Sequence, residues 1–337
     1  GEIAYRRATT LYAMREYADA RAAIEGFITT HPQHERHAEA LVLLGDILMG
    51  AGELEDARAC FSRIPAETID SFVYGVFQTG KILRAVEDHE GMAAHFLSYV
   101  NRRDLSPHPR VSEALYWIGW AEEQRGRIEA AIPIYFDVLD RFGNDPAAGE
   151  VGTTLTALQK LAKRISLTEG RARLSEDGRL RALVSGGFDE WLEEERARAR
   201  KEGLATLEAR LTLFAADRFA ARKQPYQAEA LVLEVASRTA IEALDAPSLA
   251  RVGLTLLDIG SPESSRYFEH LLVRHPRSFE RAAAFYGVAA EAAKARDARE
   301  ALRWIERFEN ETPTHPLAPR AALLAAHALE QAGRYED

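Results

Sequence analysis

Along most of the chain, apolar residues recur at the spacing of one helical face, in paired runs separated by short polar or glycine-containing breaks. That pattern predicts antiparallel helical hairpins. Alanine and arginine are abundant and β-branched residues come mostly singly, so intrinsic preference favours helix and no segment reads as a strand. The hairpins repeat. Ala20, Ala57, Met92 and Ala131 lie 37, 35 and 39 residues apart, and each is followed four residues later by a bulky group: Ile24, Phe61, Phe96 or Tyr135. Twelve residues before each stands a small one: Ala8, Gly45, Gly80 or Gly119. The expectation is that small faces small where two helices cross most closely.

The turns are legible too. Gly52 and Gly126 lie seven residues beyond Gly45 and Gly119, where a helix ends in a left-handed residue that glycine adopts without strain. Tyr17, Leu54 and Ile128 are expected to open each second helix by burying themselves in the hairpin, and His31-Pro32 to end the first hairpin. The pattern returns with Gly253, Leu256, Gly260, Phe268 and Pro276, then with Gly287, Ala301, Ile305 and Pro313; Gly253 and Gly287 are 34 residues apart. A last hairpin begins at Ala322 and reaches Gly333-Arg334-Tyr335, stopping at the residue that opens a second helix. The expectation is a piece of a longer protein.

These residues resemble the tetratricopeptide repeat family. The resemblance is carried by Leu41, Leu44-Gly45, Leu48, Leu54, Ala57 and Phe61 in the second repeat, and by Leu115, Ile118-Gly119, Ile128, Ala131 and Tyr135 in the fourth. The fourth departs at Glu122, where an aromatic is usual. The resemblance implies an all-α fold, a right-handed α-solenoid of stacked helical hairpins, with arrays over residues 1–146 and 245–337. Between them, residues 147–244 lose the phase. There the sequence predicts a helix over 147–166, a turn and capping signal at Ser175-Glu176-Asp177-Gly178, a break at Gly186-Gly187 and one or two long helices from Phe188 to about Arg222. Glu194–Arg198 and Arg198–Glu202 are four-residue pairs expected on a solvated face. Pro225-Tyr226 followed by Ala230 reads as a degenerate repeat, and the region as either a kink or a specialised insertion.

In such a family the first helices of successive hairpins line a concave groove. Here that places Tyr5, Thr9 and Tyr12, then Val42 and Asp46, then Phe77, Lys81 and Arg84, then Tyr116, Trp117, Trp120 and Glu123 on the binding face. The groove reads as apolar, suited to a helix or extended peptide with apolar anchors. The competing reading is that the same aromatics only pack hairpin against hairpin. The resemblance thus implies a non-catalytic scaffold for a protein or peptide partner. Two alternatives stand beside it: a solenoid platform of a larger cell-wall or modifying enzyme, and a self-associating structural array. The closing His-Pro pairs and the run Glu113-Ala114-Leu115-Tyr116-Trp117-Ile118-Gly119-Trp120 resemble bacterial envelope proteins of this family, which implies a periplasmic setting.

Charge and chemistry narrow the picture further. A formal net charge of −9 opposes the phosphate backbone, and Arg6-Arg7 and Arg102-Arg103 are small basic spots, so no nucleic-acid partner is expected. One cysteine, Cys60, excludes an intrachain disulfide framework and reads as a small buried residue. The apolar stretches around Leu41–Gly52 and Ala321–Leu329 fall short of the roughly 18 residues that span a bilayer. Phosphate loops, paired zinc-helix histidines, calcium loops and nucleophile elbows are missing from the sequence, and Gly50-Ala51-Gly52 joins two helices; no cofactor and no enzymatic site are expected. His31, His34 and His37 have metal-ligand spacing, but Pro32 interrupts their face, and an exposed loop between repeats is the expectation rather than a metal site. Asn310-Glu311-Thr312 matches a glycosylation acceptor and is assigned no role.

Overall fold

The computed structural model describes residues 1–104, 110–165, 178–185 and 187–333. Among them all regular structure is helical, with eighteen α-helices and one short 3-10 turn at residues 241–243. The chain is an all-α array of stacked hairpins, an α-solenoid, and it divides into two compact units, residues 1–138 and 139–337.

The first unit holds α1 (Glu2–Ala13) with α2 (Tyr17–Thr30), α3 (His37–Gly50) with α4 (Leu54–Phe61), α5 (Ile69–Ala85) with α6 (His89–Val100), and α7 (Val111–Gln124) with α8 (Ile128–Phe142), within which the division falls. Where the helices of a pair cross, the nearest neighbour of the glycine is a ring. A side-chain carbon added at Gly45 would meet the Phe61 ring at 2.3 Å, one at Gly80 the Phe96 ring at 2.3 Å, and one at Gly119 the Tyr135 ring at 2.6 Å. The glycine is a seat for the ring sixteen residues on. In the first hairpin Ala8 replaces glycine and the aliphatic Ile24 replaces the ring, both fully buried, so the pair is matched in size.

Every one of these hairpins turns the same way. Seven residues after Ala8, Gly45, Gly80 and Gly119 stand Arg15, Gly52, Glu87 and Gly126, all left-handed, with φ of 64°, 81°, 59° and 75°. The amide after each reaches back to the helix: Glu16 to the Leu11 carbonyl, Glu53 to Leu48 and Asp88 to Leu83, each at 2.9 Å, and Arg127 to Glu122 at 2.9 Å. Tyr17, expected inside its hairpin, is 51% exposed, because the ring leans edge-on against Tyr12 at 5.7 Å. Cys60 is buried; its thiol donates to the Leu41 carbonyl at 3.3 Å, and burial pushes it up to about 11.

Hairpins are joined by a recurring loop. After Pro32 the ring of His34 accepts the Arg36 amide on Nδ1 at 3.2 Å; after Pro313, His315 accepts the Leu317 amide at 3.2 Å; after Pro276, the Ser278 hydroxyl accepts the Glu280 amide at 3.1 Å. His31 and His34 are therefore half-buried loop staples, stacked and edge-on against Phe27 at 5.3 and 5.2 Å, and not exposed as expected. His37 opens α3 with a buried Nδ1.

The second unit begins with α9 (Val151–Ile165), α10 (Gly178–Ser185) and α11 (Gly187–Glu202). It continues with α12 (Ala205–Ala221) and α13 (Pro225–Arg238), α14 (Ala246–Asp258) and α15 (Ser264–Arg274), α16 (Arg281–Lys294) and α17 (Ala298–Glu311), and α18 (Ala318–Gln331). The expected features at residues 175–177, 186 and 334–335 lie outside the described residues. The turn rule locates three more hairpins of the same register: Lys223, Gly260 and Arg296 are left-handed, and seven residues earlier stand the buried Ala216, Gly253 and Ala289. In α12–α13 the small residue of the second helix is Ala228, with Val232 buried four residues on; Ala230 is exposed. Gly287 is not the counterpart of Gly253. Phe268 lies between them, 2.8 Å from a side-chain carbon at Gly253 in its own hairpin and 2.1 Å from one at Gly287 in the next, so Gly287 serves stacking and Ala289 serves its own hairpin.

Within residues 139–244 an apolar core that includes Leu158, Leu183 and Trp191 is accompanied by arginine pairs. Arg179 pairs with Glu195 at 2.6 Å and Asp140 at 2.8 Å; Glu195, only 4% exposed, also takes Arg198 at 2.7 Å, in place of the Glu194 pairing the spacing suggested. Arg210 is buried on α12. Its guanidinium donates to Asp245 at 2.7 Å and to the carbonyls of Phe142, Gly143 and Ala148 at 3.3, 2.9 and 2.7 Å, while Asp245 caps α14 through the Ser248 amide at 2.9 Å.

Candidate functional site

Successive turns of α1, α3 and α5 present one face because residues three and four apart stack along a helix. Tyr5 on α1 is half-buried, its ring tilted on Phe27 at 5.7 Å with the Arg36 guanidinium 5.3 Å above it. Val42 and Asp46 follow one turn apart on α3. From α5, the Tyr74 hydroxyl donates to both Asp46 carboxylate oxygens, at 3.0 and 2.9 Å. Burial raises Asp46 above the usual carboxylate range, against the pull of that hydrogen bond and of Lys81. Tyr74 is pushed up to about 12, by burial first and then by the Asp46 carboxylate.

Two recesses lie on this face. An open one of about 470 Å³ is lined by Tyr5, Thr9, Val42 and Asp46 together with Glu39, Leu43, Asp70, Ser71 and Tyr74. A smaller one of about 230 Å³ is lined by Phe77, Gly80, Lys81, Arg84, Met92, Phe96, Glu113 and Trp117. In the second, the Arg84 guanidinium stands 5.1 Å over the Trp117 ring. Phe77 is a core ring at 4% exposure that forms the floor, capped by Arg110 at 3.6 Å, which in turn pairs with Glu113 at 2.6 Å.

Tyr12, Tyr116, Trp120 and Glu123 line neither recess. Tyr116 packs on Tyr135 at 5.9 Å and Trp117 at 5.3 Å, and Trp120 on Trp117 at 5.5 Å and, edge-on, on His89 of the preceding hairpin at 5.4 Å. Trp120 therefore joins the third hairpin to the fourth, while Tyr116 packs within the fourth.

Glu39 and Tyr74 are the residues that the groove reading passed over. Both stand six residues before the crossing glycine, as Glu113 does in the fourth hairpin, so the repeat register itself marks them. They add charge and a hydroxyl to a face that is otherwise largely apolar: Glu39, Asp46 and Asp70 line the first recess beside tyrosines, and Lys81, Arg84 and Glu113 line the second beside Phe77 and Trp117. Among the described residues no group of three His, Cys, Asp or Glu side chains is placed to hold a metal ion, and no helix is long and apolar enough to cross a membrane.

A family model described as tetratricopeptide repeat matches residues 5–71 and 82–148. No curated protein matches the chain. Among solved structures, the chain is similar to a tetratricopeptide repeat protein from Parabacteroides merdae, 11% identical over 97% of this chain and 98% of that one, with a TM-score of 0.35. It is similar also to the APC/C hetero-tetramer Cut9-Hcn1, at 11% identity over 98% and 83% with a TM-score of 0.32. A third is the Naa15/Naa10 structure bound to HypK-THB, at 15% identity over 99% of this chain and 61% of that one, TM-score 0.26.

Proposed function

We propose, from the premise that this chain belongs to the tetratricopeptide repeat family through residues 5–71 and 82–148, that it is a non-catalytic scaffold holding a partner peptide along the first-helix face of α1, α3, α5 and α7. The observation that carries this reading is the pair of neighbouring recesses of opposite character. Glu39, Asp46 and Asp70 beside Tyr5 and Tyr74 suit a lysine or arginine side chain, which gains from both carboxylate and ring. Lys81 and Arg84 beside Trp117 suit an acidic or aromatic side chain. A peptide with a basic residue followed by an acidic or aromatic one matches that order, and tyrosine and tryptophan supply contact area at low entropic cost.

Selection of a random-peptide display library on the immobilised chain tests it. Enriched peptides should carry a basic residue at one fixed position and lose binding by about tenfold, roughly 1.4 kcal/mol, on Asp46→Asn or Tyr74→Phe. Enrichment indifferent to those variants and to Arg84→Gln would sink the reading. A periplasmic setting is proposed on the texture of the repeats; fractionation of the native host with an antibody to this chain tests that, and recovery from the cytoplasmic fraction would reject it.

A further inference from the structure

A separate recess of about 460 Å³ lies between α4 and α6 over α5, lined among others by Arg58, Phe61, Phe72, Thr79, Tyr99 and Arg102. It is on the far side of α5 from the groove: at about 100° per residue, Phe72, Gly75, Val76 and Thr79 are turned roughly 140° from Asp70, Ser71 and Tyr74. Its origin is local. α4 has 8 residues, where α2, α6 and α8 have 14, 12 and 15, and the recess lies beside its last turn, at Arg58, Phe61 and Ser62. The volume falls within the range of small-molecule sites, about 300–1,000 Å³.

The lining has a polarity as well as a shape. Phe72 gives it partly exposed aromatic surface above the buried rings of Phe61 and Tyr99, and the Arg102 guanidinium lies 5.3 Å from the Phe72 ring centre. Arg58 and Arg102 come from α4 and from the segment after α6. Each already meets one carboxylate, Arg58 with Glu55 at 3.7 Å through Nη1, and Arg102 with Asp104 through Nε and Nη2 at 2.8 and 2.5 Å. Five N–H groups per guanidinium leave donors for a further anion. His95 donates Nε2–H to the Val76 carbonyl at 2.9 Å; burial, helped by the nearby Arg58, lowers its pKa, so the ring stays neutral with Nδ1 as an acceptor. Thr79 lines the recess, and its hydroxyl, which makes no hydrogen bond among the described residues, is open to solvent there.

We propose that this recess binds a small organic acid, its flat apolar body on Phe72 and its carboxylate held by Arg58, Arg102 and the Thr79 hydroxyl. The site is independent of the peptide groove. Two guanidiniums select an anion over a neutral analogue of the same shape, and the short α4 admits a fused-ring body.

Titration calorimetry on the whole chain with naphthalene-2-carboxylate and, in parallel, naphthalene-2-carboxamide tests the site. The acid should bind with Kd below about 1 mM and the amide at least about tenfold more weakly. Arg58→Gln and Arg102→Gln should each weaken the acid by about fivefold or more. Thr79→Val should also weaken it, yet leave the unfolding temperature unchanged or raised, because the native hydroxyl has no bond to lose; this variant decides the matter if an arginine variant fails to fold. Absence of binding at about 1 mM, equal affinity for acid and amide, or affinity unchanged in folded variants overturns the proposal.

Discussion

In residues 1–138 each helix crossing is closed by shape: Phe61 on Gly45, Phe96 on Gly80, Tyr135 on Gly119. At the α11–α12 crossing the same turn is made, with Gly203 left-handed and the Leu204 amide on the Ala199 carbonyl at 2.9 Å, yet the residue seven before Gly203 is Arg196. It meets Thr212, sixteen residues on, at 3.1 Å, and Glu193 and Glu234 at 2.8 and 3.4 Å. The backbone device is shared and the packing device is not. A ring on a glycine is satisfied within one hairpin, so it can be repeated without reference to neighbours. A guanidinium has several donors to place, and Arg179 and Arg210 place theirs on segments 39 and 62 to 68 residues away. Such contacts fix one irregular arrangement where a repeat would allow only stacking.

The largest expected effect breaks the arginine side of this contrast. Arg210→Ala leaves Asp245 and three carbonyls without their donor and should lower the stability of the second unit by about 3–5 kcal/mol, read by chemical denaturation. Arg210→Lys should recover little, because one ammonium cannot reach four acceptors in a plane. The shape side is broken next. Gly45→Ala should cost about 1–3 kcal/mol through the Phe61 ring, and Phe61→Leu in the same chain should return part of it, as Ala8 with Ile24 already illustrates. A Gly45→Ala chain as stable as the parent would show that the ring moves freely aside.

Partly or fully buried histidines make both units sensitive to pH. His95 in the first unit and His275 and His315 in the second all have pKa values lowered, chiefly by burial. Below the unfolded value of about 6.5 the unfolded chain binds more protons, so stability is full above that pH and falls as pH drops toward the lowered folded values. Denaturation midpoints between pH 7.5 and about 5.5 should decline in both units, and His95→Gln should flatten the decline in the first. The smallest effect concerns the shared turn. Lys223→Gly and Glu87→Gly remove a left-handed non-glycine residue and should each add about 0.5–1 kcal/mol in thermal unfolding; a loss would mean those side chains hold the turn in some other way.

How much was legible is best judged from particular residues. Gly45, Ala57 and Phe61 fixed a hairpin on spacing, because a helix face and a crossing point are local periodicities. Spacing alone did not reveal that the glycine seats the ring at its sixteenth neighbour. Taken together with glycine alone as the marker, it also placed Gly287 where Ala289 stands, since Arg15, Glu87, Lys223 and Arg296 make the turn without glycine. For the candidate groove, spacing brought Tyr5, Thr9, Val42 and Asp46 to one recess and Phe77, Lys81, Arg84 and Trp117 to another, and left Glu39 and Tyr74 unremarked.

The helical class, the hairpin period, the closing prolines and the face on which Tyr5 and Asp46 lie are all readable along the chain, because they follow from contacts within about forty residues and from backbone preference. Only the tertiary structure decided that Arg210 ties residues 142–148 to α14, that His34 and His315 staple loops, that Tyr74 answers Asp46, and that a short α4 leaves a recess flanked by two arginines. Those depend on which distant donors and acceptors come within 3 Å of one another, and a charge pattern read along a line carries no record of that.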